Sequence, residues 1–229
     1  MYLTLDIGNT LSKFARFDVH GTLLDHGYQE GVVGFQDIKV IAVANVTDKQ
    51  PALQAVQCPV VLMHHRLKLP FLMGYKTPET LGADRLAAVA GAAFLAPDSD
   101  FMVVDAGTCL KFEYLQNNTY QGGGISPGLT MRYRALSSFT NRLPEIQHQP
   151  FESKLGDSTE TAILSGVQQG FLLEVEGRIQ QYLAQNPSGK VFLTGGDAAY
   201  LAERLKTKIF AEPLLVHYGL YHTLRLNGY

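Results

Sequence analysis

Two acidic turns 99 residues apart carry the most suggestive chemistry in this sequence. Asp6-Ile7-Gly8-Asn9-Thr10-Leu11-Ser12-Lys13 follows one apolar stretch, and Asp105-Ala106-Gly107-Thr108 follows another. A tight turn of glycine and small polar residues lets backbone N–H groups approach phosphate oxygens. A carboxylate at the strand end can hold a magnesium ion, usually through its waters. Asn9, Thr10 and Ser12 add donors, and Lys13 can neutralise phosphate charge. The same residue types also build ordinary hairpin turns, so a single copy decides nothing. Two copies, each directly behind an apolar strand, point to a nucleotide cleft between two related domains.

Other stretches offer partners for such a site. Tyr75 to Leu86 (YKTPETLGADRL) puts Gly82, Asp84 and Arg85 at a helix N-terminus, where an acid is favoured and free N–H groups attract anions. Asp84 is equally the acid that helix starts commonly carry. Gly122 to Leu129 (GGGISPGL) is either a glycine-rich turn or a close backbone approach to a ligand, with Pro127 and Gly128 opening a helix. In Gly156 to Gly166 (GDSTETAILSG), Ser158 is an N-cap and Thr159 begins the first turn. Phe192 to Leu201 (FLTGGDAAYL) is a strand, a Gly-Gly turn and an acidic helix start against which a base or ribose could lie. No P-loop, GxGxxG, HExxH, GxSxG or kinase HRD motif occurs. The histidine pairs have no usual single-face ligand spacing and read as structural.

The elements that must position these residues are legible from punctuation. Tyr2–Leu5, Leu11–Phe17 and Leu23–Tyr28 read as a strand meander broken at Gly8-Asn9 and His20-Gly21. Lys39–Val43 and Val60–Met63 read as buried strands around a weak helix over Asp48–Gln57. Leu81–Pro97 is alanine-rich, stopped by proline, and small enough in side chain to pack closely on a sheet. Phe101–Val104 restarts the pattern. Further helices are expected over Gly128–Thr140, Ser158–Gln185, Asp197–Leu205 and Val216–Asn227, with Val191–Leu193 a strand between. The repeat of DIGNTLSKF in DAGTCLKF, with one gap, suggests a duplication divided near Pro97–Asp100, giving domains 1–98 and 99–229.

Composition narrows the partners. The 229 residues are 46% hydrophobic and 17% charged, ordinary globular usage, and the net charge of −2 offers no drive toward nucleic acid or an anionic membrane. Neither Cys58 nor Cys109 has metal-finger or disulfide-framework spacing, and both read as thiols in a reducing cytosol. No apolar run approaches the roughly 18 residues of a membrane span, so the expected location is cytoplasmic.

Taken in order, DIGNT at Asp6, GADR at Gly82, DAGT at Asp105, GGGISPG at Gly122 and TGG at Thr194 resemble the type III pantothenate kinases across the whole chain. Tyr75, nine residues before Asp84, fits the same pattern. The resemblance implies an α/β fold of two duplicated ribonuclease-H-like domains, the actin-like ATPase fold, with an ATP cleft between them. It implies transfer of the ATP γ-phosphate to the 4′-hydroxyl of pantothenate, in a homodimer. By position, Asp6, Ile7, Gly8, Asn9, Thr10, Leu11, Ser12 and Lys13 resemble the first phosphate loop, with Asp6 near Mg²⁺, and Thr108 the second phosphate contact. Asp105 resembles the ligand of a monovalent cation, K⁺ or NH₄⁺. Tyr75, Gly82, Ala83, Asp84, Arg85 and Thr159 resemble the pantothenate pocket, with Asp84 the proton acceptor. Arg85 pairs either with the substrate carboxylate or with a phosphate oxygen.

Three positions depart from the family pattern: Ala44-Asn45-Val46 replaces a usual Ser-Ser-Val, Lys111 a common threonine, and Glu113 a commoner aspartate. A lysine close to Asp105 could act as an internal cation. Two rival functions share the scaffold. One is another small-molecule kinase with a changed pocket around Tyr75 and Thr159. The other is a non-catalytic accessory transcription regulator, against which the joint presence of Asp6, Asp84, Arg85 and Asp105 argues.

Overall fold

The computed structural model describes residues 1–28, 37–48, 53, 56–153 and 155–229. Its first sheet has the strand order β3-β2-β1-β4-β5, formed by β1 (Tyr2–Ile7), β2 (Ser12–Phe17), β3 (Leu23–Tyr28), β4 (Val40–Asn45) and β5 (Val60–Leu62). The first three strands are an antiparallel meander, while β4 and β5 join β1 in parallel. Strand β1 is therefore central, and all of its residues but the half-buried Asp6 are buried. Leu3, Leu5, Ile7, Phe14, Ile38, Ile41 and Val43 form one buried cluster here. Each such side chain contributes about 1.5–3 kcal/mol on leaving water.

A two-residue strand, β6 (Leu72–Met73), and a 3-10 turn at Pro78–Thr80 lead into helix α1 (Ala83–Leu95). Residues 85–93 of this helix are all buried. Its small face packs mainly on the last helix of the chain and also meets β4, so the sheet expected as its partner is shared with a helix.

The second sheet repeats the plan. Its order is β11-β10-β7-β8-β9-β6, with β7 (Phe101–Ala106), β8 (Cys109–Gln116), β9 (Thr119–Pro127), β10 (Lys190–Thr194) and β11 (Phe210–Ala211). Two-residue connections join β7 to β8 and β8 to β9, so these three form a second meander. The second connection, Asn117-Asn118, has both residues at positive φ (49° and 55°), the conformation that two-residue hairpins favour. Strands β10 and β11 then lie parallel beside β7, as β4 and β5 lie beside β1. The matching orders 3-2-1-4-5 and 9-8-7-10-11 are the signature of two duplicated α/β halves, as the repeated acidic turn implies.

Between β9 and β10 run α2 (Leu129–Ser138) and α3 (Thr159–Gln185). Ile163, Val167, Phe171, Val175 and Ile179 recur every fourth residue along α3 and are buried. The short α4 (Ala198–Ala202) and α5 (Leu215–Leu226) complete the chain.

The chain divides into two compact units. One comprises Met1–Ser99, Glu113–Gly122 and Leu214–Tyr229; the other comprises Asp100–Phe112 and Gly123–Pro213. The expected break between residues 98 and 99 falls beside the Ser99/Asp100 edge, but the units are discontinuous in sequence. α5 belongs with the first because its apolar face packs on α1. The helix expected over Asp48–Gln57 lies largely outside the described residues. The glycine-rich stretch Gly122–Pro127 lies within strand β9 rather than in a turn, and the following helix begins at Leu129. No helix among the described residues is long and apolar enough to cross a membrane.

Candidate active site

In the first unit, the register of β1 against β2 sets Asp6 opposite Lys13 and Ile7 opposite Ser12. Gly8 to Leu11 is the hairpin loop between them, closed by Gly8 N–H donating to the Leu11 carbonyl at 3.1 Å. Asn9, Thr10 and Leu11 are exposed at its tip, and Asp6 is half-buried at its base. The stretch is thus a hairpin turn in geometry, and one whose polar tip faces solvent. The exit of β4 flanks it: Val46 N–H donates to the Ile7 carbonyl at 3.2 Å, and Asn45 Oδ1 accepts from Thr47 N–H and its hydroxyl, both at 2.9 Å. An asparagine turn of this kind ends the strand.

The same unit holds Tyr75, Gly82, Ala83, Asp84 and Arg85. Gly82 is the N-cap of α1, and Asp84 stands in its first turn, where the helix dipole favours a negative charge. Asp84 Oδ1 accepts from Arg85 N–H at 2.7 Å. Its role as a helix-start acid is therefore realised alongside any other.

Arg85 is buried, and its planar fork is matched by a carboxylate. Nε donates to Glu113 Oε1 at 2.5 Å and Nη2 to Oε2 at 2.9 Å. Tyr120 closes the group, donating its hydroxyl to Glu113 Oε2 at 2.5 Å and accepting from Arg85 Nη2 at 3.2 Å. Burial favours the neutral guanidine, but the bonds and charge of Glu113 outweigh it and hold Arg85 even more firmly protonated than usual. Burial, with the Glu113 charge adding to it, pushes the Tyr120 phenol up. The guanidinium in turn lies 5.5 Å from the centre of the Tyr75 ring, which stacks on Tyr120 with ring centres 5.9 Å apart. Gly122 lies against the ring of Tyr75. Its φ is +91°, and a Cβ there would come 2.8 Å from the ring, so only glycine leaves room for the tyrosine.

The sequence leaves open whether Arg85 pairs with a substrate carboxylate or a phosphate oxygen; within the chain it is held by Glu113 and Tyr120. In the sequence Glu113 stands out only as a departure from the family pattern, and Tyr120 does not stand out. A signal exists in Glu113, a carboxylate in the apolar alternation of β8 where full burial demands a paired cation. Nothing in the spacing points to a partner 28 residues away.

In the second unit, Asp105 is the penultimate residue of β7 and is buried, while Thr108 is exposed in the connection to β8. Gly107 N–H donates to the Cys109 carbonyl at 3.0 Å. Two glycine-containing motifs brace this turn from behind. Gly128 N–H donates to the Thr108 carbonyl at 3.2 Å, and a Cβ on Gly128 would collide with the Gly107 and Thr108 carbonyl oxygens. Asp197 N–H, at the Gly195-Gly196 turn, donates to the Ala106 carbonyl at 2.8 Å. At both motifs the backbone comes close to the acidic turn. Burial raises the Asp197 carboxyl above the usual range, with His148 partly opposing it.

Lys111 Nζ stands 2.7 Å from Asp105 Oδ2, with both side chains largely buried. Thr159 is the first residue of α3. Ser158 caps that helix, its hydroxyl accepting from Thr161 N–H at 3.2 Å while Thr161 Oγ1 accepts from Ser158 N–H at 2.9 Å, the reciprocal arrangement of a capping box. Farther along α3, Glu174 meets Ser126 and forms an ion pair with Arg132.

Solved structures share this architecture. They include a Campylobacter jejuni protein assigned to the Baf family of transcriptional activators (TM-score 0.63, 23% identity, 98% of each chain). Another is the activator of the 2-hydroxyisocaproyl-CoA dehydratase of Clostridium difficile, with ADPNP bound (TM-score 0.54, 16% identity, 98% of this chain and 95% of that one). At such identities the likeness concerns the fold alone, and the class is the actin-like fold of sugar kinases and ATPases. Sequence comparison is more specific. The family model for type III pantothenate kinase matches residues 29–181. Type III pantothenate kinases from Bacteroides fragilis (39% identity over 100% of this chain and 99% of the relative) and Flavobacterium johnsoniae (40% over 93% and 92%) align with nearly the whole sequence. The chain belongs to the type III pantothenate kinase family.

Proposed function

We propose that the protein transfers the γ-phosphate of ATP to the 4′-hydroxyl of pantothenate, the first step of coenzyme A synthesis. The observation that carries this reading is the start of α1, where Asp84 directly precedes an arginine fixed on Glu113 and facing Tyr75. A carboxylate held on a rigid helix end, next in sequence to an arginine that faces a tyrosine ring, suits a small alcohol that must be positioned rather than chemically activated. Phosphoryl transfer passes through a loose transition state, so positioning and charge stabilisation dominate and a base need accept the alcohol proton only late.

In this reading Asp84 accepts the hydroxyl proton from within about 3 Å, directly or through one water. Tyr75, Gly82, Ala83 and Thr159 contact pantothenate, and Arg85 acts by holding Tyr75. The turn from Asp6 to Lys13 and the hydroxyl of Thr108 hold the nucleotide phosphates. Asp6, a half-buried carboxylate at a strand end, supplies the hard oxygen chemistry that Mg²⁺ takes. The magnesium ion would neutralise charge on the phosphates. Asp105 fits a monovalent cation less well, because an ammonium already stands on its Oδ2.

A homodimer accords with the exposure of Ile125, Phe139 and Leu173 in the second unit, side chains that a second copy could cover. A cytoplasmic location accords with the free thiols Cys58 and Cys109.

The test is ADP release coupled to NADH oxidation, with pantothenate and a panel of sugars as acceptors. Pantothenate-dependent release is expected. Release with a sugar and not with pantothenate would assign a different acceptor, and no release with any acceptor would favour a non-catalytic role.

A further inference from the structure

We infer that the ammonium of Lys111 takes the place of the monovalent cation at Asp105, so that phosphoryl transfer by this chain needs neither K⁺ nor NH₄⁺. The inference rests on the proposed kinase function for its activity readout, and on geometry alone for its binding readout. Lys111 Nζ lies 2.7 Å from Asp105 Oδ2, and the two side chains are only 14% and 12% exposed. That separation is a charge-assisted hydrogen bond. It is also about the distance at which a potassium ion would sit from a carboxylate oxygen. The lysine and a metal ion therefore compete for one position, and the lysine is covalently present at all times.

The fold keeps it there. Asp105 is the penultimate residue of β7 and Lys111 the third of β8, and the strands are joined only by Gly107-Thr108. The turn is fixed by the Gly107–Cys109 and Gly128–Thr108 backbone bonds. A second cation on the same carboxylate would meet the lysine charge at close range between two largely buried side chains, where like charges are screened little. A threonine at position 111 would leave the Asp105 charge without this ammonium and open the position to an external ion.

The experiment compares wild type with Lys111→Ala and Lys111→Gln in KCl, NH₄Cl, NaCl and choline chloride at constant ionic strength. For the wild type, turnover is expected to change less than twofold among the salts, and the melting temperature without substrates is expected to be equal in K⁺ and Na⁺. Both variants are expected to be at least tenfold slower in choline and to recover in K⁺ or NH₄⁺. Their melting temperature should rise selectively with K⁺. A wild type activated tenfold or more by K⁺, or melting several degrees higher in K⁺ than in Na⁺, overturns the inference whatever the variants do. Variants indifferent to K⁺ in both readouts also overturn it. The melting readout needs no acceptor, so it tests the cation site even if pantothenate is not the substrate.

Discussion

The guanidinium of Arg85 grips the carboxylate of Glu113 through two parallel hydrogen bonds, Nε to Oε1 at 2.5 Å and Nη2 to Oε2 at 2.9 Å, inside the first unit. One partner begins helix α1 and the other lies in the middle of strand β8. The pair therefore ties the helix end that carries Asp84 to a strand remote in sequence. Removing one member of a buried pair leaves the other charged and unmatched, which costs about 3–5 kcal/mol. Glu113→Ala is expected to lower unfolding free energy by that amount in urea titration. It should also raise KM for pantothenate more than KM for ATP, because Arg85, which lies over the Tyr75 ring, loses its anchor. A loss below about 1 kcal/mol, the range of an exposed pair, would contradict this role.

Gly122 and Tyr75 give a second test. The glycine has φ of +91° and its missing Cβ would stand 2.8 Å from the tyrosine ring. Gly122→Ala is expected to cost about 1–3 kcal/mol from backbone strain, and more if the ring must move. The KM for pantothenate should rise severalfold with ATP affinity unchanged. Unaltered acceptor KM would remove Tyr75 from the pocket.

Acid stability should depend on His217, in α5. Its Nδ1 lies 2.8 Å from Thr4 Oγ1, whose hydroxyl also lies 3.1 Å from the Ala15 carbonyl. With that hydroxyl donating to Ala15, Nδ1 carries the proton and Nε2 is a buried lone pair with no hydrogen-bond partner among the described residues. Charging the ring would bury an unmatched N–H, so burial, aided by the Lys13 and His26 charges, lowers its pKa to about 3 from the ordinary 6.5. Because the folded-state value is the lower one, the unfolded chain binds more protons between these limits. The stabilisation is complete above pH 6.5 and is lost as pH falls toward 3, by about 1.4 kcal/mol per pH unit within the window. His222, lowered by burial to about 4, adds a second such dependence. Unfolding free energies at pH 7 and pH 5 should therefore differ by more in wild type than in His217→Phe. Equal differences would contradict the assignment.

Much of this architecture is legible in the sequence because its causes are local. The repeated strand and acidic turn at Asp6 and Asp105 announce the duplicated sheets, and Ser158 announces the start of α3, since an N-cap acts within its own turn. What escapes depends on contacts made across the fold. Gly122–Pro127 has turn-like composition but forms a strand because β8 supplies its ladder and Tyr75 needs the space a side chain would fill. The grouping of α5 with the first unit follows from its packing on α1, more than 100 residues earlier in sequence. Arg85 is recognisable as important, yet its partner Glu113 is identified only once β8 is seen beside the helix end. The Lys111–Asp105 contact is the exception, because a two-residue connection confines both residues to neighbouring strands.

The most direct test of phosphoryl transfer at the start of α1 is the turnover of Asp84→Asn with pantothenate and saturating ATP, measured beside KM for ATP. Asparagine keeps the size and the hydrogen-bonding oxygen but cannot accept the hydroxyl proton as a carboxylate does. With Asp84 as the proton acceptor, kcat falls by roughly 10² to 10⁴-fold while KM for ATP changes little. Near-wild-type kcat in that variant would contradict the assignment.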